Sequence, residues 1–274
     1  MAIAFDTSGP VSRLQLTDKA VLLFYTFALF VITGFQRFLD RDPTEPVLDA
    51  NAGEFLAFIA VYTVLKPNVV SLSRVDLAVI AACAMFFLAP VSQHFVFVGA
   101  TIAGIYLWLR RSDDAQLTNV AQLWIAIAVY ESWGRLFFKL VSAPVIQAEV
   151  YLIAKAGLLL GFPLSVDGIR LVSQSGWYIY ILDSCSSFHN ASLAVLVWLS
   201  LIKIGEAEIK RPQFFALGLA VVAIIGLNML RILLMTLSRE SHYFWHIGNG
   251  TTIFSILTLL AVAVPTTISL RRPG

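Results

Sequence analysis

Residues 213–236 read QFFALGLAVVAIIGLNMLRILLMT, and this stretch decides the class of fold. A helix needs roughly 20 predominantly apolar residues to cross the hydrocarbon of a bilayer. Here that length is available, and its interior is broken only by Asn228 and Arg231. Comparable runs recur along the whole chain of 274 residues, which is 58% hydrophobic and only 13% charged. Its mean hydropathy is +0.81. Soluble domains carry charge on about a quarter of their residues, and a chain this poor in charge cannot clothe a globular surface. Soluble enzymes, disordered chains and fibrous proteins are excluded together, and an integral membrane protein is expected. The net charge of +2 is too small and too scattered to suggest a nucleic-acid partner.

The hydropathy pattern predicts an all-α membrane protein of about eight transmembrane helices, near 17–38, 53–66, 74–93, 94–110, 118–141, 185–204, 213–236 and 247–270. The first run, from Lys19 to Phe38, lacks a small-residue cleavage site and is expected to be a span rather than a cleaved signal. No internal repeat is evident, so residues 1–274 are expected to form a single integral membrane domain, with an outer loop or interfacial segment at about 142–184. Within that segment, PVIQAEVYLIAKAGLLLGF (144–162) carries Gln147, Glu149 and Lys155 and suits an interfacial or half-buried helix better than a span. VDGIRLV and WYIYILD, rich in β-branched and aromatic residues and separated by SQSG, predict a small outer β-hairpin just before span six.

Orientation follows from lysine and arginine in short loops, which favour the cytoplasmic side. Eleven of the 19 fall on one side, including Lys19, Lys66, Arg110, Lys203, Arg211 and Arg271, against six on the other, where four acidic residues offset the first loop. Both termini are therefore expected in the cytoplasm, with the chain ends of spans near 141, 185, 236 and 247 facing outward.

Ionisable groups inside a span cost a few kcal/mol unless they are paired or face a wet cavity. Glu131 and Arg135, four residues apart, are expected to pair with each other. Arg231 lies deep, with Asn228 on the same helical face to orient its guanidinium or share its ligand; the plainer alternative is that it snorkels to the outer interface. Cys83 and Cys185 form no C-x-x-C pair, and no disulfide is expected. A lone cysteine is ordinarily an apolar filler, but Cys185 sits among Asp183, Ser184, Ser186 and Ser187 at the outer mouth of span six, where a helix N-terminus and a nearby cation favour the thiolate. His246, in YFWHIGNG, is expected to start span eight, with His242 one turn earlier. The two histidines at i, i+4 fit a metal only weakly, with no third ligand in sequence. The expected topology brings a nucleophile (Cys185), a fixed cation (Arg231) and a base (His246) from three spans to one membrane face, a set suited to thiol acyl transfer.

At these residues the chain resembles the exosortase/archaeosortase family of multi-span membrane cysteine transpeptidases. The resemblance is carried by Cys185 in LDSCSSF, Arg231 with Asn228 in NMLRI, and His246 in HIGNG with Gly250 four residues on. It departs from the family at Ser187, where glycine is frequent, and at His189, where arginine is frequent. The resemblance implies Cys185, Arg231 and His246 as catalytic residues supported by Asn228, Asp183 and His189, with no cofactor and no metal. It implies as partners exported proteins that end in a sorting signal (a short motif such as Pro-Glu-Pro, a hydrophobic helix and a basic tail), together with membrane lipid. It implies residence in a bacterial inner membrane with the site on the outer face; the acceptor of the cleaved C-terminus is not implied. Two other readings are a transporter or channel with Glu131, Arg135 and Arg231 along its pathway, and a non-catalytic accessory protein of polysaccharide export. A membrane-impermeant thiol reagent applied to intact cells should label Cys185 and spare Cys83. Labelling of Cys185 only after the membrane is opened would invert the topology and disperse the proposed site.

Overall fold

The computed structural model describes residues 11–39, 52–66, 70–88, 93–182 and 185–271. The chain is mostly helical and divides into two compact units, Met1–Ala128 and Val129–Gly274.

The first unit contains α1 (Val11–Leu39), α2 (Ala52–Leu65), α3 (Arg74–Ala84) with a 3₁₀ turn at Met85–Leu88, α4 (Gln93–Arg110) and α5 (Ala115–Ala128). Residues spaced three and four apart turn one stripe of each helix inward, among them Leu22, Tyr25 and Leu29 of α1 and Leu117, Val120 and Trp124 of α5. Inside this apolar packing, the Trp124 indole N–H donates to Thr26 Oγ1 at 2.8 Å. Asp76, fully buried, closes a capping box with Ser73 at the start of α3. It also accepts from Tyr106 at 2.9 Å and pairs with Arg111 at 2.9 Å. Cys83 is buried.

The second unit contains a π-helical turn (Val129–Trp133), α6 (Gly134–Leu159), β1 (Leu164–Asp167), β2 (Arg170–Ser173), β3 (Tyr178–Tyr180), α7 (Ser187–Ile204), α8 (Arg211–Met235), α9 (Arg239–His246) and α10 (Asn249–Leu270). Pro144 lies within α6, which continues to Leu159. The strands form an antiparallel sheet in the order β1-β2-β3. Its inner face inserts Leu171 and Ile179 into a cluster with Val150 and Ile153 of α6 and Ile232 and Leu233 of α8. The turn at SQSG joins β2 to β3 as the sequence predicts, with Gly176 at φ +82°. VDGIRLV, however, is two strands rather than one. Asp167 pairs with Arg170 across a two-residue loop, and Gly168 takes φ +61° at its first position, the conformation that a tight hairpin demands and glycine supplies. The expected hairpin is thus a three-stranded meander.

Helices occupy most of the expected spans, but the fifth differs: α5, the π turn and α6 run from Ala115 to Leu159, well past the expected end at 141, so the segment at 144–162 is mostly the second half of α6 rather than a separate interfacial helix. Among the described residues, four stretches are long and apolar enough to cross a membrane: Asp18–Phe35, Ala115–Leu159, Arg211–Met235 and Asn249–Leu270. Large apolar side chains such as Phe215 and Leu140 stand exposed, as suits a protein whose solvent is lipid.

One expectation is corrected at the end of α8. His246 does not start the last long helix; it ends the separate eight-residue α9, and α10 begins at Asn249. The chain leaves α8 at Thr236 and α9 is pinned back on it: Ser238 caps α9 by accepting from Ser241 N–H at 3.1 Å, and the Ser241 hydroxyl donates to the Leu234 carbonyl at 2.6 Å. Gly250 lets α10 begin directly against α9, because a Cβ there would stand 2.7 Å from the Phe244 carbonyl oxygen and 2.8 Å from the Trp245 ring. Gly250→Ala should therefore force α9 off α10 and destabilise the fold by about 1–3 kcal/mol, measured as a lower Tm in detergent. An unchanged Tm would show that α9 is not held by this approach.

Candidate active site

Cys185 lies two residues before the first residue of α7, half-buried at the edge of the apolar cluster of the second unit. The turn that carries it is fixed on several sides. Its N–H donates to the Leu182 carbonyl at 2.9 Å, and its own carbonyl accepts from Asn228 Nδ2 at 2.8 Å. The same amide nitrogen donates to Ser187 Oγ at 3.1 Å. Ser186 caps α7 by accepting from Phe188 N–H at 3.3 Å, and Glu149 Oε1 of α6 accepts from Ser187 N–H at 2.9 Å. Asn228, buried on α8, thus holds the turn around the thiol: its amide nitrogen bonds there and not to Arg231, whose guanidinium it is expected from the sequence to orient.

Arg231 is one turn before the end of α8. Its Nε donates to the Trp245 carbonyl at 3.0 Å, and its guanidinium lies over the Phe254 ring at 4.6 Å. This is a fixed cation satisfied from α9 and α10, and it interacts electrostatically with Cys185.

The His246 ring hydrogen-bonds Cys185. That bond, reinforced by the negative charge of the thiolate, holds the imidazole above the ordinary histidine range, against burial and the repulsion of Arg231. His246 therefore keeps its proton to a higher pH than a free histidine, and an imidazolium donor beside sulfur favours the thiolate. His242 stacks on His246 with ring centroids 5.0 Å apart. Burial, and then the neighbouring His246, push His242 below the ordinary range. Trp177 meets the other side of His242 at 5.8 Å, edge to face, while its indole N–H donates to the Met235 carbonyl at 3.1 Å. The sheet is thereby joined to the end of α8 and to the histidine pair.

The structure thus brings together four of the sequence-predicted residues: Cys185, Asn228, Arg231 and His246. Asp183 lies outside the described residues, and so does the side chain of His189, whose backbone belongs to α7. Glu131 and Arg135 face each other at 3.7 Å, as their spacing suggests. Three contributors are not legible in the sequence: Trp245, which offers only its carbonyl; Trp177, whose indole reaches the Met235 carbonyl and the His242 ring; and Glu149, whose carboxylate in an apolar run speaks only for an interfacial helix.

A helical membrane protein with a cysteine, a histidine and an arginine at one end of its long helices is the class that this geometry defines. The family model described as Transmembrane exosortase matches residues 19–263, and the chain belongs to that family of membrane cysteine transpeptidases. No curated protein matches the chain, and no solved structure matches it.

The pairing of sulfur and imidazole has a direct readout. Alkylation of Cys185 by iodoacetamide should persist well below about pH 8.5, the range of an unperturbed thiol, because His246 remains protonated there and supports the thiolate. His246→Ala should move the alkylation midpoint up towards that value, and His242→Ala should leave it nearly in place. A midpoint unmoved by loss of His246 would show that the two groups are not coupled.

Proposed function

We propose that this exosortase is a thiol transpeptidase that cuts the C-terminal sorting signals of exported proteins and passes the new C-terminus to an acceptor amine. The observation that carries this reading is the hydrogen bond between His246 and Cys185, with Arg231 held beside them. The Cys185 thiolate attacks the scissile carbonyl, forming the S–C bond and an oxyanion that Arg231 stabilises. Collapse breaks the C–N bond, the His246 imidazolium gives its proton to the departing amine, and a thioester remains on Cys185. The acceptor amine then attacks the thioester; neutral His246 takes its proton, the C–S bond breaks and the thiolate–imidazolium pair is restored. Asn228 holds the Cys185 carbonyl throughout. Among the described residues no other group needs to enter the proton account.

In this reading the chain crosses a bacterial inner membrane about eight times with both termini in the cytoplasm and the site on the outer face. Two features support that orientation. Lys203, Lys210, Arg211 and Arg271 cluster where α7, α8 and α10 end or begin, joined there by the bonds from Trp198 to the Gln213 carbonyl at 2.9 Å and from Gln213 to the Ser269 carbonyl at 3.2 Å. Cys185 and Arg231 lie towards the opposite ends of α7 and α8. A substrate anchored by its own membrane helix arrives already confined to the plane of the site, which lowers the entropic cost of presenting its motif to Cys185.

The test is processing of an epitope-tagged exported protein that carries a motif, an apolar helix and a basic tail, in cells whose copy of this enzyme is varied. Cys185→Ala should abolish the size shift. Arg231→Lys keeps the charge but not the planar fork of donors, and should lose on the order of 10²–10³ in rate. Full processing by Cys185→Ala would assign the chemistry elsewhere and leave this chain an accessory protein.

A further inference from the structure

The carboxylate of Glu149 takes no part in the steps above, yet it is placed at some cost. Its residue is 8% exposed, and neighbours on its own helix, Ile146, Val150 and Ile153, belong to the apolar cluster. Oε1 accepts the Ser187 N–H at 2.9 Å, while Oε2 is buried with no hydrogen-bond partner. An acidic group so enclosed and half-satisfied is a poor choice for stability, since a buried polar atom without a partner keeps the full cost of leaving water. Its one bond, however, is well aimed. Ser187 is the first residue of α7, and its N–H is among the donors that a helix start leaves without an internal partner. The Ser187 hydroxyl meets Asn228, whose amide also holds the Cys185 carbonyl. Glu149 and Asn228 therefore grip the same short turn, one from α6 and one from α8.

We propose that Glu149 is a positioning residue for the nucleophile: by fixing Ser187 it fixes the turn that carries Cys185 and keeps the sulfur on the His246 ring. The proposal rests on the reading of Cys185 and His246 as a working pair. The charged or titratable groups around that turn, among the described residues, are Glu149 from α6, Arg231 from α8 and His246 from α9 with His242 behind it.

The experiment compares Glu149→Met, which keeps the volume and removes the acceptor, with Glu149→Gln, which keeps an acceptor oxygen for Ser187, both in the full chain in detergent. Alkylation of Cys185 across pH needs no substrate. Glu149→Met should raise the midpoint towards that of His246→Ala, and combining the two should raise it no further. Glu149→Gln should restore the wild-type profile. Processing of the tagged substrate should fall on the order of 10²-fold in the Met variant, as a misplaced reactive group does, and stay within roughly tenfold in the Gln variant. A side chain that merely supports the fold would lower Tm and leave the alkylation midpoint of the folded protein where it was. A wild-type midpoint in Glu149→Met, with His246→Ala shifted, overturns the proposal alone. A midpoint unmoved in His246→Ala removes the pair and the proposal with it.

Discussion

A guanidinium one turn inside an apolar helix end stays there only if something polar is brought to it. In this protein that group is the Trp245 carbonyl, accepting from Arg231 Nε at 3.0 Å. The consequences spread outward. To deliver a main-chain oxygen to α8, the chain must turn back as soon as α8 ends, and α9 does so under the grip of Ser238 and Ser241. The next residue after Trp245 is His246, so fixing the carbonyl fixes the origin of the imidazole as well. α10 must then begin close enough to bring Phe254 under the guanidinium, and Gly250 is the residue that permits that approach. One solvation requirement thus orders the end of α8, all of α9 and the first turns of α10.

The long helices were legible in the sequence because an apolar run is a local signal: each residue declares its preference for lipid without reference to any partner. The same holds for Asn228 and Arg231, which stand out in α8 because their neighbours are so uniformly apolar. What hydropathy could not show was direction and pairing. A window of apolar residues gives the same score to VDGIRLV as one strand or as two, and only the freedom of Gly168 to take positive φ separates them. YFWHIGNG leads into the last apolar run, and nothing in hydropathy separates His246 from the start of that helix, although α10 begins only after Gly248. Glu149 is visible in the sequence as an anomaly, but there it speaks only for an interfacial or half-buried helix. Its partner is the backbone of a residue 38 positions away, and no pattern within α6 announces a main-chain N–H on α7.

The sequence also pointed to the start of α7 as a source of thiolate stabilisation, and the structure shifts the weight of that argument. A helix N-terminus favours an anion because its first N–H groups are unpaired. Here the first two of α7 are already engaged, Ser187 N–H by Glu149 and Phe188 N–H by Ser186. Neither is free to turn to sulfur. Two further groups do interact with the sulfur, the His246 ring and the Arg231 charge, and these come from α9 and α8. The division has a physical logic. Glu149 of α6 and Asn228 of α8 hold the turn that carries the nucleophile still, while His246 and Arg231 set how readily its proton leaves. The two duties fall on different side chains yet meet at one atom: a turn that loosens carries the sulfur away from the imidazole that stabilises it, so a substitution in either set is felt in how readily the thiol loses its proton.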